Sequence, residues 1–294
     1  MDEVGPYTGG FTSRISRIDP EEPGHPAHTV VGALPSSSTS AASGALTSGV
    51  ADVEFLNGHL YGIEAGAGCS HGLADTHNSL FRVDGNNVTE VANLSAFQAA
   101  NPVANPDECC PSDFEPDGTW YSMVAAKGAI YAVEPNHGEV DKITPGGQIS
   151  RVVDVSATEG HVVPTSISYH GNFYFGNLGT FPVVPGSQSI WKLAPSGNLK
   201  VAADGLTTVL GTAWDRRGRL YALESVTAPN FPLADPFGTG KVVRIDPNGS
   251  QTTVVEGLTT PTAMTFGPDG ALYISNFGFG APAGAGEILR AELP

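Results

Sequence analysis

Two stretches of the sequence decide the fold: DGLTTVLGTAWDRRGRLYALE at residues 204–224 and EGLTTPTAMTFGPDGALYISN at residues 256–276. They align without a gap at a spacing of 52 residues, and the same glycines, leucines, threonines and tyrosine recur in both. The same spacing carries KLAPSGN, which begins at Lys192, onto RIDPNGS, which begins at Arg244. A repeat of this length, rich in β-branched and aromatic residues, is typical of one blade of a β-propeller.

Two kinds of strand recur along the chain. The first has a tyrosine at its centre after a glycine turn, as in GRLYALE ending at Glu224, and it occurs five times. The second has a basic residue between apolar ones. It occurs six times, around Arg17, Arg82, Lys142, Lys192, Arg244 and Arg290. If the four strands of a blade are named A to D, the tyrosine strand is B and the basic strand is C. Helical periodicity is nearly absent, so the sequence predicts an all-β protein.

The strand count predicts a six-bladed β-propeller with an incomplete first blade. Five A, five B, six C and five D strands make 21, whereas six blades need 24. We expect the absent A and B strands of the first blade, and the D strand of the last, in a segment before residue 1. The alternative is a five-bladed ring closed by the N-terminal hairpin. Residues 1–294 are interpreted as a single propeller domain. Phe55, Trp214 and Phe266 occupy matching ends of A strands, where we expect them to pack between blades.

Composition and charge limit the class of partner. The chain has 37 glycines, 23 prolines and only 15% charged residues, which argues against long helices and coiled coils. Its 14 basic and 30 acidic residues give a net charge of −16, which disfavours nucleic acid and anionic membranes. No apolar run is long enough to span a membrane. We therefore expect a small-molecule ligand, and a monomer unless another chain completes the first blade.

The cysteines and the first residues bear on location. The spacing of the cysteines matches no zinc motif; they are Cys69, Cys109 and Cys110. Two alternatives remain open: one disulfide from Cys69 to Cys109 or Cys110, or three reduced thiols. The opening MDEVGPYTGG has no signal-peptide pattern. The acidic, lysine-poor composition suits a secreted bacterial protein, so the predicted location is extracellular or periplasmic with the signal removed. The alternative is a cytoplasmic protein.

The last residue of every B strand is Glu or Asn, which predicts a ring of polar side chains around the propeller channel. Carboxylate and amide oxygens around one axis suit a hard cation, so calcium is the predicted cofactor. The alternative is that these side chains cap the ends of the blades through backbone hydrogen bonds. The candidate metal ligands are Glu64, Glu134, Glu224, Asn177 and Asn276.

Catalytic candidates surround this ring. His71 and His137 follow B strands, and His161 precedes an A strand, so all three are expected at the channel mouth. A histidine there can act as a general base or as a ligand of a soft metal, and the favoured alternative for each one singly is a solvent-exposed turn. Because it lies three residues beyond Glu134, His137 is the first choice for proton transfer.

An acidic and aromatic segment is the candidate substrate-binding region. DFEPDGTWYSM at residues 113–123 enters a strand, and it includes Asp113, Trp120 and Tyr121. Acidic groups beside aromatic rings suit an aromatic or cationic ligand, whereas the alternative is an ordinary acidic turn. Glu115 in this segment is a further catalytic candidate, and SNFGFG places Phe277 on the same face.

Several of these motifs resemble the ScyD/ScyE family, named after proteins of scytonemin pigment biosynthesis in cyanobacteria. They include GPYTGGFTSRISRI, EAGAGCSHGL, DFEPDGTWYSMVA, YAVEPNHGEVDKI and PTAMTFGPDGALYISNFGFG, and the resemblance extends from about residue 5 to 292. It implies a secreted six-bladed propeller that acts outside the cytoplasm on an indolic or phenolic compound. Family members carry a signal peptide and a first-blade segment that this chain lacks. The repeat is more distantly similar to gluconolactonase-like and virginiamycin B lyase-like propellers, which implies a divalent cation in the channel.

Two functions are consistent with these features. One is a metal-dependent enzyme that modifies an aromatic or lactone-like small molecule at the channel mouth. The other is a non-catalytic propeller that binds a ligand or a protein.

Overall fold

The computed structural model describes residues 7–19, 24, 27–39, 46–106, 115–194, 197–282 and 284–293. The chain divides into two compact units, Met1–Ala157 and Thr158–Pro294. Each unit contains three small antiparallel sheets that follow one another along the chain. These six sheets are the blades of a six-bladed β-propeller, which confirms the predicted fold class.

The described residues of the first unit form eleven strands and one two-turn helix. Its sheets have the orders β1-β2-β3, β4-β5-β6-β7 and β11-β10-β9-β8. The elements are β1(Thr8–Arg17), β2(His28–Ser38), β3(Thr47–Ser48), β4(Val50–Leu56), β5(His59–Glu64), β6(Ser79–Asp84), β7(Asn87–Asn93), α1(Leu94–Ala100), β8(Ser122–Ala126), β9(Ala129–Glu134), β10(Glu139–Ile143) and β11(Ile149–Asp154).

Eleven strands are also formed by the described residues of the second unit. Its sheets run in chain order as β12 to β15, β16 to β19 and β20 to β22, and a one-turn helix α2(Ser156–Glu159) precedes them in sequence. The strands are β12(Pro164–His170), β13(Asn172–Asn177), β14(Gln188–Leu193), β15(Leu199–Leu206), β16(Val209–Trp214), β17(Leu220–Glu224), β18(Gly240–Ile245), β19(Gln251–Leu258), β20(Ala263–Phe266), β21(Leu272–Asn276) and β22(Glu287–Ala291).

The described residues form the 21 predicted strands and one additional strand, the two-residue β3. In the first sheet, β1 and β2 are the C and D strands, and the last sheet has A, B and C strands. The five-bladed alternative is wrong, because β1 and β2 form a separate sheet with β3.

The cores lie between consecutive sheets. Within the units, A strands of neighbouring sheets contact each other: β4 with β8, β12 with β16 and β16 with β20. Trp120, Tyr61 and Leu94 belong to the core of the second and third sheets. Because the B–C and D–A connections leave the same ends of these strands, they bring the candidate residues of each unit to one edge.

Two of the three expected contacts between blades are present. Trp214 packs edge-on against Tyr174, and Phe266 packs edge-on against Tyr221. The prediction for Phe55 is wrong, because this ring is 66% exposed. In the second unit, the partner of the equivalent ring is a tyrosine on the B strand of the preceding sheet. The sheet that precedes β4 has no B strand among the described residues.

Candidate active site

Three predicted catalytic residues come together at one edge of the first unit. His71 lies in the connection after β5, Glu115 lies in the segment before β8, and His137 lies in the turn after β9. All three are buried, with exposed fractions of 0%, 8% and 5%. The sequence predicted their common location, and the structure adds the pairings.

Asp117 fixes the connection that carries His71. Its Oδ2 accepts hydrogen bonds from the amide and the hydroxyl of Ser70, both at 2.7 Å. Gly68 has a φ of +102°, and a Cβ there would lie 2.7 Å from the same carboxylate oxygen. Only glycine fits this position, so the GCSHG sequence holds His71 against the segment before β8.

His71 is held between a hydroxyl and a carboxylate. Its Nδ1 lies 3.0 Å from Oγ of Ser37, and its Nε2 lies 3.5 Å from Oε2 of Glu115. The ring of Tyr7 packs at 5.1 Å from the imidazole. Burial lowers the pKa of His71, and this effect outweighs the charge of Asp117, which raises the pKa. The imidazole therefore favours the neutral form.

Glu115 forms hydrogen bonds with two separate parts of the chain. The hydroxyl of Tyr7 donates to its Oε1, and its backbone amide donates to Oδ1 of Asn136 at 2.9 Å. These contacts fix the carboxyl group beside His71. The amide of Asn136 in turn donates to Oε1 of Glu134 at 3.2 Å, which joins Glu115 to the turn that carries His137.

His137 forms a buried ion pair with Glu134. Its Nδ1 lies 3.2 Å from Oε2 of Glu134, which also accepts its backbone amide at 2.6 Å. Burial lowers the pKa of His137, but the hydrogen bond and charge of Glu134 and the charges of Glu139 and Glu115 outweigh it. The net pKa is raised, so this imidazole favours the protonated form.

The pKa values of the two histidines are therefore displaced in opposite directions, although both residues lie near Glu115. Burial raises the pKa of Glu134, but the hydrogen bond and charge of His137 lower it further, so Glu134 is ionised. Enzymes assign acid and base roles to neighbouring groups by placing them in environments that shift their pKa values apart. The arrangement suits proton transfer.

A second buried polar cluster on β10 was missed by the sequence analysis. Glu139 and Asp141 are two residues apart on one face of the strand and are both fully buried. Arg151 donates to Oε2 of Glu139, and burial with the charge of Glu134 still raises the pKa of Glu139 to about 7. Burial and the charge of Glu139 raise the pKa of Asp141 well above its usual value. The alternating acids of EVDKI were the signal, because a strand directs them to the same face.

Trp120 belongs to this cluster rather than to a ligand surface. It is fully buried in the core, and its Nε1 donates to Oδ2 of Asp141 at 3.2 Å. The expectation that it lies at an open channel mouth is therefore incorrect for the described structure. The apolar core next to β8 takes the indole, because Leu94, Ile130 and Ile143 surround the same space.

The repeated Glu or Asn at the end of strand B is a capping residue in at least three sheets. Glu134, Glu224 and Asn276 accept the amides of Thr119, Thr207 and Thr259, at 2.8, 2.7 and 2.8 Å. Each amide lies just before the A strand of the same sheet.

The other two positions of this set differ. Asn177 accepts the amide of Ser189 at 2.9 Å and donates to the carbonyl of Val162 at 2.9 Å. Glu64 accepts the amide of Gly66 at 3.3 Å. Burial raises the pKa of Glu64 to about 8.

These contacts make a poor set of ligands for a cation. Oε2 of Glu134 faces His137, and Oε2 of Glu224 lies 3.1 Å from Nζ of Lys241. In the described part of the chain, no group of three or more His, Cys, Asp and Glu side chains is placed to hold a metal ion. Glu64 and Glu134 belong to the first unit, and Asn177, Glu224 and Asn276 belong to the second. Calcium stays a prediction.

The other candidate residues lie in different parts of the chain. His161 is half-buried and Phe277 has a φ of +54°, and both belong to the second unit. Tyr121 is half-buried, and burial with the charge of Asp52 raises its pKa, so the phenol is neutral. Asp113, Cys109 and Cys110 lie outside the described residues, and Cys69 is an exposed free thiol.

The second unit has an aromatic surface on the connections after its B strands. Phe181 and Phe231 pack edge-on with centroids 5.6 Å apart, and Phe279 lies 6.3 Å from Phe231. Backbone bonds between Val183 and residues 230 and 231 hold two of these connections together. Leu233 beside them is 91% exposed. The sequence analysis placed SNFGFG, which contains Phe279, at the channel mouth, and it did not predict the packing with Phe231.

Comparison with solved structures agrees with the fold. The chain is similar to a chain of a nidogen/laminin complex, with a TM-score of 0.58 and 15% identity over 92% of this chain and 85% of that one. It is also similar to a gluconolactonase from Xanthomonas campestris, with a TM-score of 0.51 and 14% identity over 81% and 69% of the two chains. The third is a PQQ-bound aldose sugar dehydrogenase from Streptomyces coelicolor, with a TM-score of 0.50 and 15% identity over 82% and 81%.

At these identities the comparisons show the fold alone. No protein-family profile matches the chain, and no curated protein sequence matches it. The resemblance to the ScyD/ScyE family therefore stays a prediction. No helix among the described residues is long and apolar enough to cross a membrane.

Proposed function

We propose that the chain is an enzyme that transfers protons on a small molecule with a carbonyl or phenolic oxygen, at Glu115 and His137. The observation that carries this proposal is the pair of histidines with opposite pKa displacements around one buried carboxyl group. Glu115 is the general base, and His137 is the general acid. His71 and Tyr7 position Glu115, and Glu134 holds His137 in its protonated form.

Opening of a lactone by water illustrates the roles. The oxygen of water attacks the carbonyl carbon while Glu115 takes a proton from the water. The bond between the carbonyl carbon and the ring oxygen then breaks, and His137 donates a proton to that oxygen. The product is a hydroxy acid, and solvent returns the proton from Glu115 to His137. No step uses a metal.

The net charge of −16 favours a neutral or cationic substrate. The resemblance to the ScyD/ScyE family extends the proposal to phenolic and indolic compounds and to a location outside the cytoplasm. Calcium dependence is a separate part of the proposal and is tested separately below.

The test is a screen of lactones, phenols and indoles with purified protein, with and without calcium. For any substrate found, we expect His137→Ala and Glu115→Gln each to lower kcat by about 10²–10⁴-fold, which is typical of lost proton transfer. His77→Ala is the matched control, because His77 lies in the connection that carries His71 but pairs with the exposed Glu90. Full activity in His137→Ala would remove that residue from the mechanism.

A non-catalytic binding propeller is the second candidate. The aromatic surface made by the exposed Phe181 and the half-buried Phe231 and Phe279 favours it, because apolar patches at the surface commonly bind ligands or proteins. A ligand that binds with equal affinity to wild type and Glu115→Gln, but more weakly to Phe231→Ala, would support this candidate. It would also separate ligand binding from any turnover.

A further inference from the structure

The turn DRRGR at residues 215–219 concentrates positive charge in an acidic chain. It joins β16 to β17, the A and B strands of one sheet in the second unit. It holds three of the 14 basic residues, whereas the chain as a whole has a net charge of −16. The equivalent turn of the next sheet, 52 residues further on, is GPDGA at residues 267–271 and holds no basic residue. This comparison does not depend on the proposed function.

The two turns are closed by the same backbone hydrogen bond. The amide of Gly218 donates to the carbonyl of Asp215 at 3.0 Å, and the amide of Gly270 donates to the carbonyl of Gly267 at 2.9 Å. Proline is favoured at the first central position of such a turn, and most residues are accepted at the second. The second turn has proline and aspartate there, where the first has two arginines. The fold therefore does not explain the arginines of the first turn.

The carboxylates of both turns are already paired. Nε of Arg219 donates to Oδ2 of Asp215 at 2.6 Å. In the second turn, Oδ2 of Asp269 accepts Nε of Arg290 at 2.9 Å and lies 2.8 Å from its Nη2. Each of these carboxylates therefore has its own guanidinium group as its partner.

Arg216 and Arg217 have no carboxylate partner among the described residues. Both are exposed, and Arg216 donates to the carbonyl of Pro268, which brings its guanidinium group to the second turn. The net charge of the chain is negative, but at about 0.1 M salt the charges more than about 10 Å away are largely screened. These two arginines therefore make the local electrostatic potential positive.

A cavity of about 480 Å³ is lined by residues of both turns. Arg216 and Arg217 line it together with Trp214, Phe266 and Leu293. Its aromatic walls are held in place, because each ring packs edge-on against a tyrosine of the preceding sheet, at 4.9 Å for Trp214 and 5.1 Å for Phe266. Small-molecule sites have volumes of about 300–1,000 Å³. A cationic rim and apolar walls in one cavity suit an organic anion.

We propose that this cavity is a binding site for an aromatic carboxylate. The planar guanidinium groups of Arg216 and Arg217 bind the carboxylate group, whose geometry they match. The ring of the ligand packs on Trp214 and Phe266. A neutral aromatic molecule lacks the ionic contact and an inorganic anion lacks the apolar one, so both bind more weakly. The site is separate from the aromatic surface on the B–C connections, because the A–B turns leave the opposite ends of the strands.

The probe is naphthalene-2-carboxylate, added to the purified full chain at about pH 7 and about 0.1 M salt. Calorimetry measures its affinity. The indole N–H signal of Trp214 in NMR spectra, assigned with Trp214→Phe, reports its position, and we expect this signal to shift during the titration. Naphthalene-2-carboxamide, which has the same rings without the charge, should bind about tenfold more weakly, as should inorganic phosphate.

Two variants test the role of the arginines. Arg217→Gln should weaken binding about tenfold, the equivalent of one charge-assisted hydrogen bond. The double variant Arg216→Pro and Arg217→Asp has the residues of the second turn, Pro268 and Asp269, so we expect it to fold as wild type does and to bind about a hundredfold more weakly. Lys200→Gln is the matched control, because Lys200 is an exposed basic residue of the same unit that does not line the cavity.

Three results would overturn the proposal. The first is wild-type affinity in both arginine variants, or an equal loss of affinity in Lys200→Gln, because the guanidinium groups would then not hold the carboxylate. The second is equal affinity for the carboxamide or for phosphate, because charge and ring would then not be recognised together. The third is an indole signal of Trp214 that stays unchanged during the titration, because the ligand would then bind elsewhere.

Discussion

Oε2 of Glu134 lies 2.6 Å from the backbone nitrogen of His137 and 3.2 Å from its Nδ1. A four-residue turn thus contains both partners of a buried ion pair, and the same carboxyl group accepts the amide of Thr119 through Oε1. The turn after β9 is therefore fixed to the segment that carries Glu115. The proposed acid and the proposed base depend on the same contacts.

The ion pair makes stability depend on pH in a defined window. The pKa of His137 is raised from 6.5, so its contribution is complete below about pH 6.5 and is lost as pH rises through the raised value. The pKa of Glu134 is lowered from 4.5, so its contribution is lost as pH falls through the lowered value. We expect the difference in unfolding free energy between wild type and His137→Gln to be greatest between about pH 4.5 and 6.5. Urea unfolding at several pH values measures it, and a difference that is constant from pH 4 to 9 would contradict the pairing.

Glu64 should destabilise the folded chain at high pH, whereas the ion pair of Glu134 and His137 stabilises it. Burial raises the pKa of its carboxyl group from 4.5 to about 8, so folding must keep it protonated or accept a buried charge. We expect Glu64→Gln to melt at the same temperature as wild type near pH 4 and at a higher temperature near pH 8. Glu90→Gln is the control, since Glu90 is exposed. A lower melting temperature for Glu64→Gln at pH 8 would show that the ionised carboxylate has a partner.

The positions of the strands and of the repeated Glu or Asn could be predicted from the sequence. The contacts that these Glu and Asn side chains make could not. Strand B could be located by its central tyrosine, and its final residue by counting from it. The partner of that residue is a backbone amide, which is present in every sequence and leaves no signal. Trp120 was misplaced for a related reason: an aromatic residue beside acidic ones has the same pattern whether it faces a ligand or the core. Phe55 was misplaced because it shares the register of Trp214 and Phe266 on strand A, and the register alone does not tell whether a neighbouring ring covers it.

Asn276 tests the capping role. Its Oδ1 accepts the amide of Thr259 at 2.8 Å, and both residues are buried. Asn276→Ala leaves that amide without its acceptor, so we expect a loss of about 1–3 kcal/mol in unfolding free energy. Asn248→Ala, at an exposed turn, should cost much less. Equal small losses for both variants in urea unfolding would show that the cap adds little.

Glu224 separates capping from calcium binding. Its Oε1 accepts the amide of Thr207 at 2.7 Å, and glutamine keeps an oxygen there. Under the capping interpretation, Glu224→Gln responds to calcium and to chelator as wild type does. Under the calcium prediction, wild type melts at a higher temperature with calcium, and Glu224→Gln loses that increase. Elemental analysis of the purified protein accompanies the melting curves.

The most direct test of the central claim is an NMR titration of the imidazole Cε1 protons of His71 and His137, assigned with His71→Gln and His137→Gln. Wild type is predicted to show His71 titrating below pH 6.5 and His137 titrating above it. In Glu134→Gln, the pKa of His137 should fall while that of His71 changes little. The reason is that the Glu134 carboxylate pairs with the imidazole of His137, whereas His71 lies between Ser37 and Glu115. Two histidines that both titrate near pH 6.5 in wild type, with no response to Glu134→Gln, would contradict the assignment of His137 as the acid that acts with Glu115.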